Sequence, residues 1–235
     1  MFYPYFYFDP TMILLIPAIL LALYAQAKVQ GTFRRYSRIA ARSGLTGAQV
    51  ARELLKNNRI YDVSVELTQG MLSDHYDPRR RVLRLSPEVY HSNSLAALGV
   101  AAHEVGHVLQ HETGYGFFQL RSAIIPITNI GSQLSFPFLL AGLLLGIEPL
   151  VYIGVLGFSL AVLFQLVTLP VEYNASGRAI EALELGGYLG RDEVGSAKKV
   201  LSAAALTYVA ATIMAALQLV RLLLISGLLG GRRRD

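Results

Sequence analysis

Four stretches of this chain are long and apolar enough to constrain everything else: residues 11–27, 123–146, 150–169 and 206–229. Hydrocarbon offers no partner to a backbone N–H or C=O, so a segment lying in it must close its hydrogen bonds internally. About 20 apolar residues in an α-helix match its thickness. Composition agrees, with 53% hydrophobic and only 16% charged residues, where a soluble domain carries about a quarter charged. The runs therefore predict a mainly α-helical, multi-pass membrane protein. Between the second and third runs, Gly146-Ile147-Glu148-Pro149 leaves room only for a hairpin loop. A hairpin returns the chain to the side it left.

Orientation follows from the charges that flank the runs. An aromatic stretch, Phe2 to Phe8, precedes the first, and such rings favour the membrane interface. Ala25-Gln26-Ala27 has the form of a signal-peptide cleavage site, but no Lys or Arg precedes the run and Asp9 does. The cations come afterwards: Lys28, Arg34, Arg35, Arg38 and Arg42. That order predicts a retained helix whose C-terminal end faces the cytoplasm. The net charge of +5 sits in clusters beside apolar segments, a pattern suited to topology and anionic lipid headgroups and not to nucleic acid. Four crossings put Arg232 to Arg234 on the side opposite Lys28 to Arg42. The larger first cluster, which precedes a folded segment, is taken to decide. Arg221 interrupts the last run and is expected to snorkel or to face protein.

The chain divides into five segments: a first span over 1–27, a part carrying helix, strands and a histidine-bearing helix over 28–120, a spanning hairpin over 121–170, a helical region over 171–200, and a last span with a basic tail over 201–235. Residues 28–60 read as polar-faced helix, with Thr46-Gly-Ala-Gln49 as a capping box. Over 62–86 the period changes to two. Val63, Val65 and Leu67 alternate with polar residues, Thr68-Gln-Gly70 turns, and Val82, Leu83 and Leu85 form a further run, which predicts a small antiparallel β-meander. Asp77-Pro78 reads as a turn and Arg79 to Arg81 as a solvated loop.

One helix carries chemistry. From Ser94, a plausible N-cap, to Gly114, a plausible stop, the sequence is Ala-rich and contains His103-Glu104-Val-Gly-His107. Residues i and i+4 share a helix face, so both imidazoles can reach one cation, while Glu104 lies where it can meet a water on that cation. Burying two His and a Glu on one helix for no purpose would be costly. With no Cys in the chain, a Zn²⁺ site must be built from His and carboxylate, and a catalytic one needs a third protein ligand with one position left open. His111 is a further turn along the axis and too far. Gln110 and Thr113 stand where an extended H-E-x-x-H-x-x-G-x-x-H site would need Gly and His. A separate helix must supply the ligand. Glu172 is the best candidate: it returns on the same membrane side and has small neighbours (Ala175, Ser176, Gly177, Ala179) that allow close approach. Glu181 and Glu184 are runners-up, better suited to a solvated face. Pro170 suits the start or a kink of that helix, and Gly186-Gly187 its end.

Taken together, Ala101 to His107, Asp74 to Pro78 with Leu83 to Ser86, and Pro170 to Ser176 resemble the YugP-type bacterial membrane zinc metallopeptidases over roughly residues 3–230. In layout the family is similar to the wider membrane gluzincins. The resemblance implies a gluzincin-like catalytic core in which His103, His107 and Glu172 bind zinc and Glu104 is catalytic. Two departures stand out. Asn174 occupies a position where YugP-type relatives often carry Asp, and Ser176 the place of the Asp in the gluzincin E-x-x-x-D motif. An Asp there would orient a ligand histidine, and Asn174 or Asp74 is left to take that part.

The expected activity is hydrolysis of flexible or unfolded peptide or membrane-protein segments near the cytoplasmic membrane face. Glu104 acts as general base, and His75, Tyr173, Arg178 or Tyr208 is the second oxyanion donor. Two rivals stand beside it. A site-2-type intramembrane protease would carry Leu-Asp-Gly, which is absent. A zinc-stabilised adaptor or holdase would need no base.

Overall fold

The computed structural model describes residues 10–228. Phe2 to Asp9 and Arg232 to Arg234 lie outside the described residues. After a 3-10 turn at Pro10–Leu15, the elements run α1 (Ile16–Tyr36), α2 (Gly47–Asn57), β1 (Ser64–Leu67), β2 (His75–Asp77), β3 (Val82–Leu85), α3 (Pro87–Tyr90), α4 (Leu95–Glu112), α5 (Gly116–Leu145), α6 (Glu148–Leu185) and α7 (Arg191–Ile225). Among the described residues, four helical stretches, Pro10–Tyr36, Gly116–Leu145, Glu148–Leu185 and Arg191–Ile225, are long and apolar enough to cross a membrane. Helix α4 is not among them.

The chain forms two compact units. One comprises the described parts of Met1–Tyr24, Ala123–Leu166 and Val209–Asp235. Its helices turn apolar side chains outward. Leu20, Ile127, Phe136 and Leu156 are each 60% or more exposed, a surface that only lipid or another protein can cover favourably. Gly142 and Gly154 allow α5 and α6 to pack closely across the hairpin, since a Cβ on Gly154 would come within 2.8 Å of Leu139. Arg221 faces protein, its Nε donating to Thr11 Oγ1 at 3.2 Å.

The second unit comprises Ala25–Ser122 and Val167–Tyr208 and holds a continuous core around α4. Leu98, Ala101, Val105 and Val108 of α4 are buried, against Val50 and Leu54 of α2, Leu83 and Leu85 of β3, and Val171 and Ala179 of α6. The capping box at Thr46 forms in full, with Gln49 N donating to Thr46 Oγ1 and Thr46 N to Gln49 Oε1. Ser94 caps α4 through Ala97 N. Gly114 takes φ +64° just beyond the Thr113 C-cap, a left-handed conformation that glycine adopts without cost.

Three expectations are corrected. The sheet is not an antiparallel meander. Its order is β1-β3-β2, with β1 parallel and β2 antiparallel to β3. Val82, Leu83 and Leu85 are all buried, so β3 takes the centre and β2 folds out to one edge. The chain from 68 to 81 is long enough for the crossover that a parallel pair requires. Residues 28–60 are not one polar helix, because α1 continues to Tyr36 and a loop precedes α2. Of the two roles expected for Pro170, a helix start or a kink, the start is excluded, because Pro170 lies inside α6. Val167, Val171, Ala175, Ala179 and Leu183, one helical turn apart on both sides of it, are buried in the core. That packing outweighs the hydrogen bond the proline removes.

Candidate metal centre

His103 and His107 project from one face of α4, their rings edge-to-face with centroids 4.7 Å apart. Helix α6 brings Glu172 against them. His103 Nε2 lies 3.2 Å and His107 Nε2 3.8 Å from Glu172 Oε2. One ligand atom from each residue falls within 4.8 Å of the others. These spacings fit a tetrahedral zinc site, whose bonds of about 2.0–2.1 Å set ligand atoms roughly 3.3 Å apart. Glu172 is 2% exposed, and two imidazoles with one carboxylate form a donor set suited to Zn²⁺.

The close approach of the two helices has a cause on each side. On α6 it is the small residues Ala175 and Ser176. On α4 it is Gly106, inside the H-E-x-x-H stretch, where a Cβ would stand 2.5 Å from the carbonyl oxygen of Ala175. Any side chain there would push α6, and Glu172 with it, off the imidazoles.

The outer nitrogens of both imidazoles are held by protein. Gln110 is fully buried and its Nε2 donates to the Val171 carbonyl at 2.7 Å and to Asn174 Oδ1 at 3.0 Å. Its Oε1 is thereby turned towards His107 Nδ1, 3.0 Å away. His107 Nδ1 then carries the proton, and the Nε2 lone pair points at the centre. His103 Nδ1 is 3.1 Å from Ser176 Oγ. Ser176 thus contacts the His103 imidazole with a hydroxyl. Asn174 acts one step further out, receiving Gln110 and the Nε of Arg178 at 2.9 Å. Asp74 orients no histidine; its Oδ1 accepts from Ser86 N at 2.8 Å. The serine, Gln110 and the following contact escape sequence reasoning: Arg121 Nη1 donates to Glu172 Oε1 at 3.2 Å. Arginine occupies one carboxylate oxygen and leaves the other to the imidazoles.

Glu104 is buried beside the imidazole pair, and loss of hydration pushes its carboxyl up to about 7, with the nearby carboxylates of Glu172 and Asp74 adding to the effect and His103 opposing it. Burial and the neighbouring His103 push His107 down to about 4, which favours the neutral imidazole that a metal would need.

Of the candidate oxyanion donors, Tyr208 is at the site. It lines a cavity of about 310 Å³ together with His103 and Glu104 and hydrogen-bonds with Glu172. His75 is exposed, with Nδ1 2.8 Å from the Ser73 carbonyl. Tyr173 is 55% exposed. Arg178 and Glu181 line a different cavity, of about 430 Å³, that contains none of the three clustered residues. Glu184 is exposed, and His111 is engaged by Tyr76, whose hydroxyl is 2.9 Å from its Nδ1.

Comparison with known proteins agrees with this chemistry. No solved structure matches the chain. A relative from Bacillus subtilis (strain 168), described as "Putative membrane protease YugP", is 49% identical over 212 residues, covering 90% of this chain and 94% of the relative. The family described as "Putative neutral zinc metallopeptidase" matches residues 11–227. By the extent of both matches, the chain belongs to this zinc metallopeptidase family.

Proposed function

We propose that the protein is a membrane-embedded zinc endopeptidase that cleaves flexible or unfolded peptide segments close to the cytoplasmic membrane face. The observation that carries this reading is the convergence of His103, His107 and Glu172 beside a buried Glu104. His103, His107 and Glu172 would hold the metal, which when bound supplies a Lewis acid for a water and the scissile carbonyl.

The chain's own groups do the rest. Glu104 takes the proton of the attacking water and delivers it to the leaving amine, and a carboxyl raised towards neutrality suits both directions of transfer. The Tyr208 hydroxyl, which hydrogen-bonds with Glu172, turns its donor to the oxygen on which negative charge develops once substrate is bound. Arg121, Ser176 and Gln110 hold Glu172, His103 and His107 in place. Strand β2 is an edge of the sheet, and Asp74, just before it, lines the cavity with Glu104. A substrate in extended form can add along β2 and present its peptide bond to Glu104. Such binding selects segments free of their own secondary structure. Three clustered donors leave room for a water, where a structural zinc site closes with four. That, with a buried base, speaks for turnover over an adaptor role.

The test is hydrolysis of an unfolded protein substrate by purified, zinc-loaded protein beside Glu104→Gln. Wild type should cleave and the variant should fall by about 10²–10⁴-fold with its zinc retained. Equal rates would remove Glu104 from the mechanism.

A further inference from the structure

A cavity lies beside His103 and Glu104. Its wall is formed by Val29 of α1, Val100 of α4, Leu201 and Ala204 of α7, and Leu72 of the loop between β1 and β2. All five are apolar, although His103 and Glu104 line the same cavity. Its remaining polar lining comprises Gln26, Asp74 and Thr207, with Tyr208 at the reacting end. Leu72 takes φ +54°, a conformation uncommon for a residue with a side chain, and is 53% exposed there. An exposed leucine held in such a conformation at a functional cavity gains a partner only when something apolar enters. The volume of about 310 Å³ lies at the lower end for small-ligand sites, which suits one large side chain and not a folded segment.

We propose that this cavity is the specificity pocket for the substrate residue flanking the scissile bond, that it takes a large apolar side chain, and that Ala204 sets its size. The position follows from the lining: His103 and Glu104 are themselves part of the wall, so a side chain seated here belongs to a residue next to the bond they address. The preference follows from desolvation. An apolar side chain gains by leaving water against Val29, Val100 and Leu201. An acidic one would lose its hydration and stand beside the carboxylates of Asp74 and Glu104. Ala204 is the smallest of the wall residues, so it leaves the space that a leucine or phenylalanine of the substrate fills. This pocket rests on the peptidase reading for its role, but its binding preference can be measured apart from turnover.

The experiment uses the full-length, zinc-loaded chain in detergent and a series of otherwise identical peptides carrying Ala, Leu, Phe or Asp at the position flanking one cleavable bond. Affinities are measured on Glu104→Gln and rates on wild type. Leu and Phe peptides should bind, and be cleaved, at least tenfold better than Ala, with Asp the weakest. In Ala204→Phe the order of Ala and Phe should reverse, with zinc content unchanged. Equal affinities across the series, or a parallel loss for all peptides in Ala204→Phe, would overturn the pocket. If the affinity order holds while wild type cleaves none of the peptides, the pocket stands and the peptidase reading falls.

Discussion

At the scale of single residues, the site is held by contacts that lie around it as much as by the three clustered side chains. The Gln110 amide fixes the proton of His107 on Nδ1, and it does so because Val171 and Asn174 take its two N–H donors. Gln110→Met should therefore weaken zinc binding by about 10–100-fold with little change in helix content; competition with a chromogenic chelator reads this, and unaltered affinity would make the amide a bystander. Tyr208→Phe tests a different step. Loss of the hydroxyl should lower kcat of the fully zinc-loaded protein by about 10²–10³-fold, and a variant with full kcat would return the oxyanion contact to another group. These partners explain where sequence reasoning stops. His103, Glu104 and His107 were legible because helical spacing alone puts them on one face. That Glu172 joins the two imidazoles was legible because a third donor was sought on a separate helix with small residues around it. Arg121, Gln110 and Ser176 were not, since each acts through a side-chain direction that spacing does not encode.

At the scale of elements, the decisive contact is the crossing of α4 and α6 at Gly106 and Ala175. Gly106→Ala puts a methyl group into the Ala175 carbonyl, and overpacking of this kind costs about 1–3 kcal/mol. The expected result is a lower unfolding midpoint together with loss of zinc, because Glu172 moves with α6. A variant that keeps its metal and its midpoint would contradict the crossing. The helices themselves were readable from caps and periodicity. Thr46, Ser94 and Gly114 each act where their chemistry says they should. The sheet was misjudged for a physical reason: alternation reports which face of a strand is buried but says nothing of its neighbour, and only the burial of β3 on both faces reveals it as the central strand. The continuity of α6 was hidden too, because Pro170 is a strong local stop signal that tertiary packing overrides.

At the scale of the whole molecule, four described helices are long and apolar enough to cross a bilayer, and the proposed function puts the metal centre at its cytoplasmic face and the α5–α6 turn at the other. The chain has no Cys, so single-cysteine variants report topology cleanly. Ser43→Cys should be shielded from a membrane-impermeant maleimide in intact cells and Ile147→Cys should react; the reverse pattern would place the metal centre outside. The central claim is narrower: one Zn²⁺ held by His103, His107 and Glu172. Elemental analysis of purified wild type, Glu104→Gln and Glu172→Ala tests it most directly. Near one zinc per chain in the first two and almost none in the third is the result this arrangement predicts, whereas an undiminished zinc content in Glu172→Ala would contradict it.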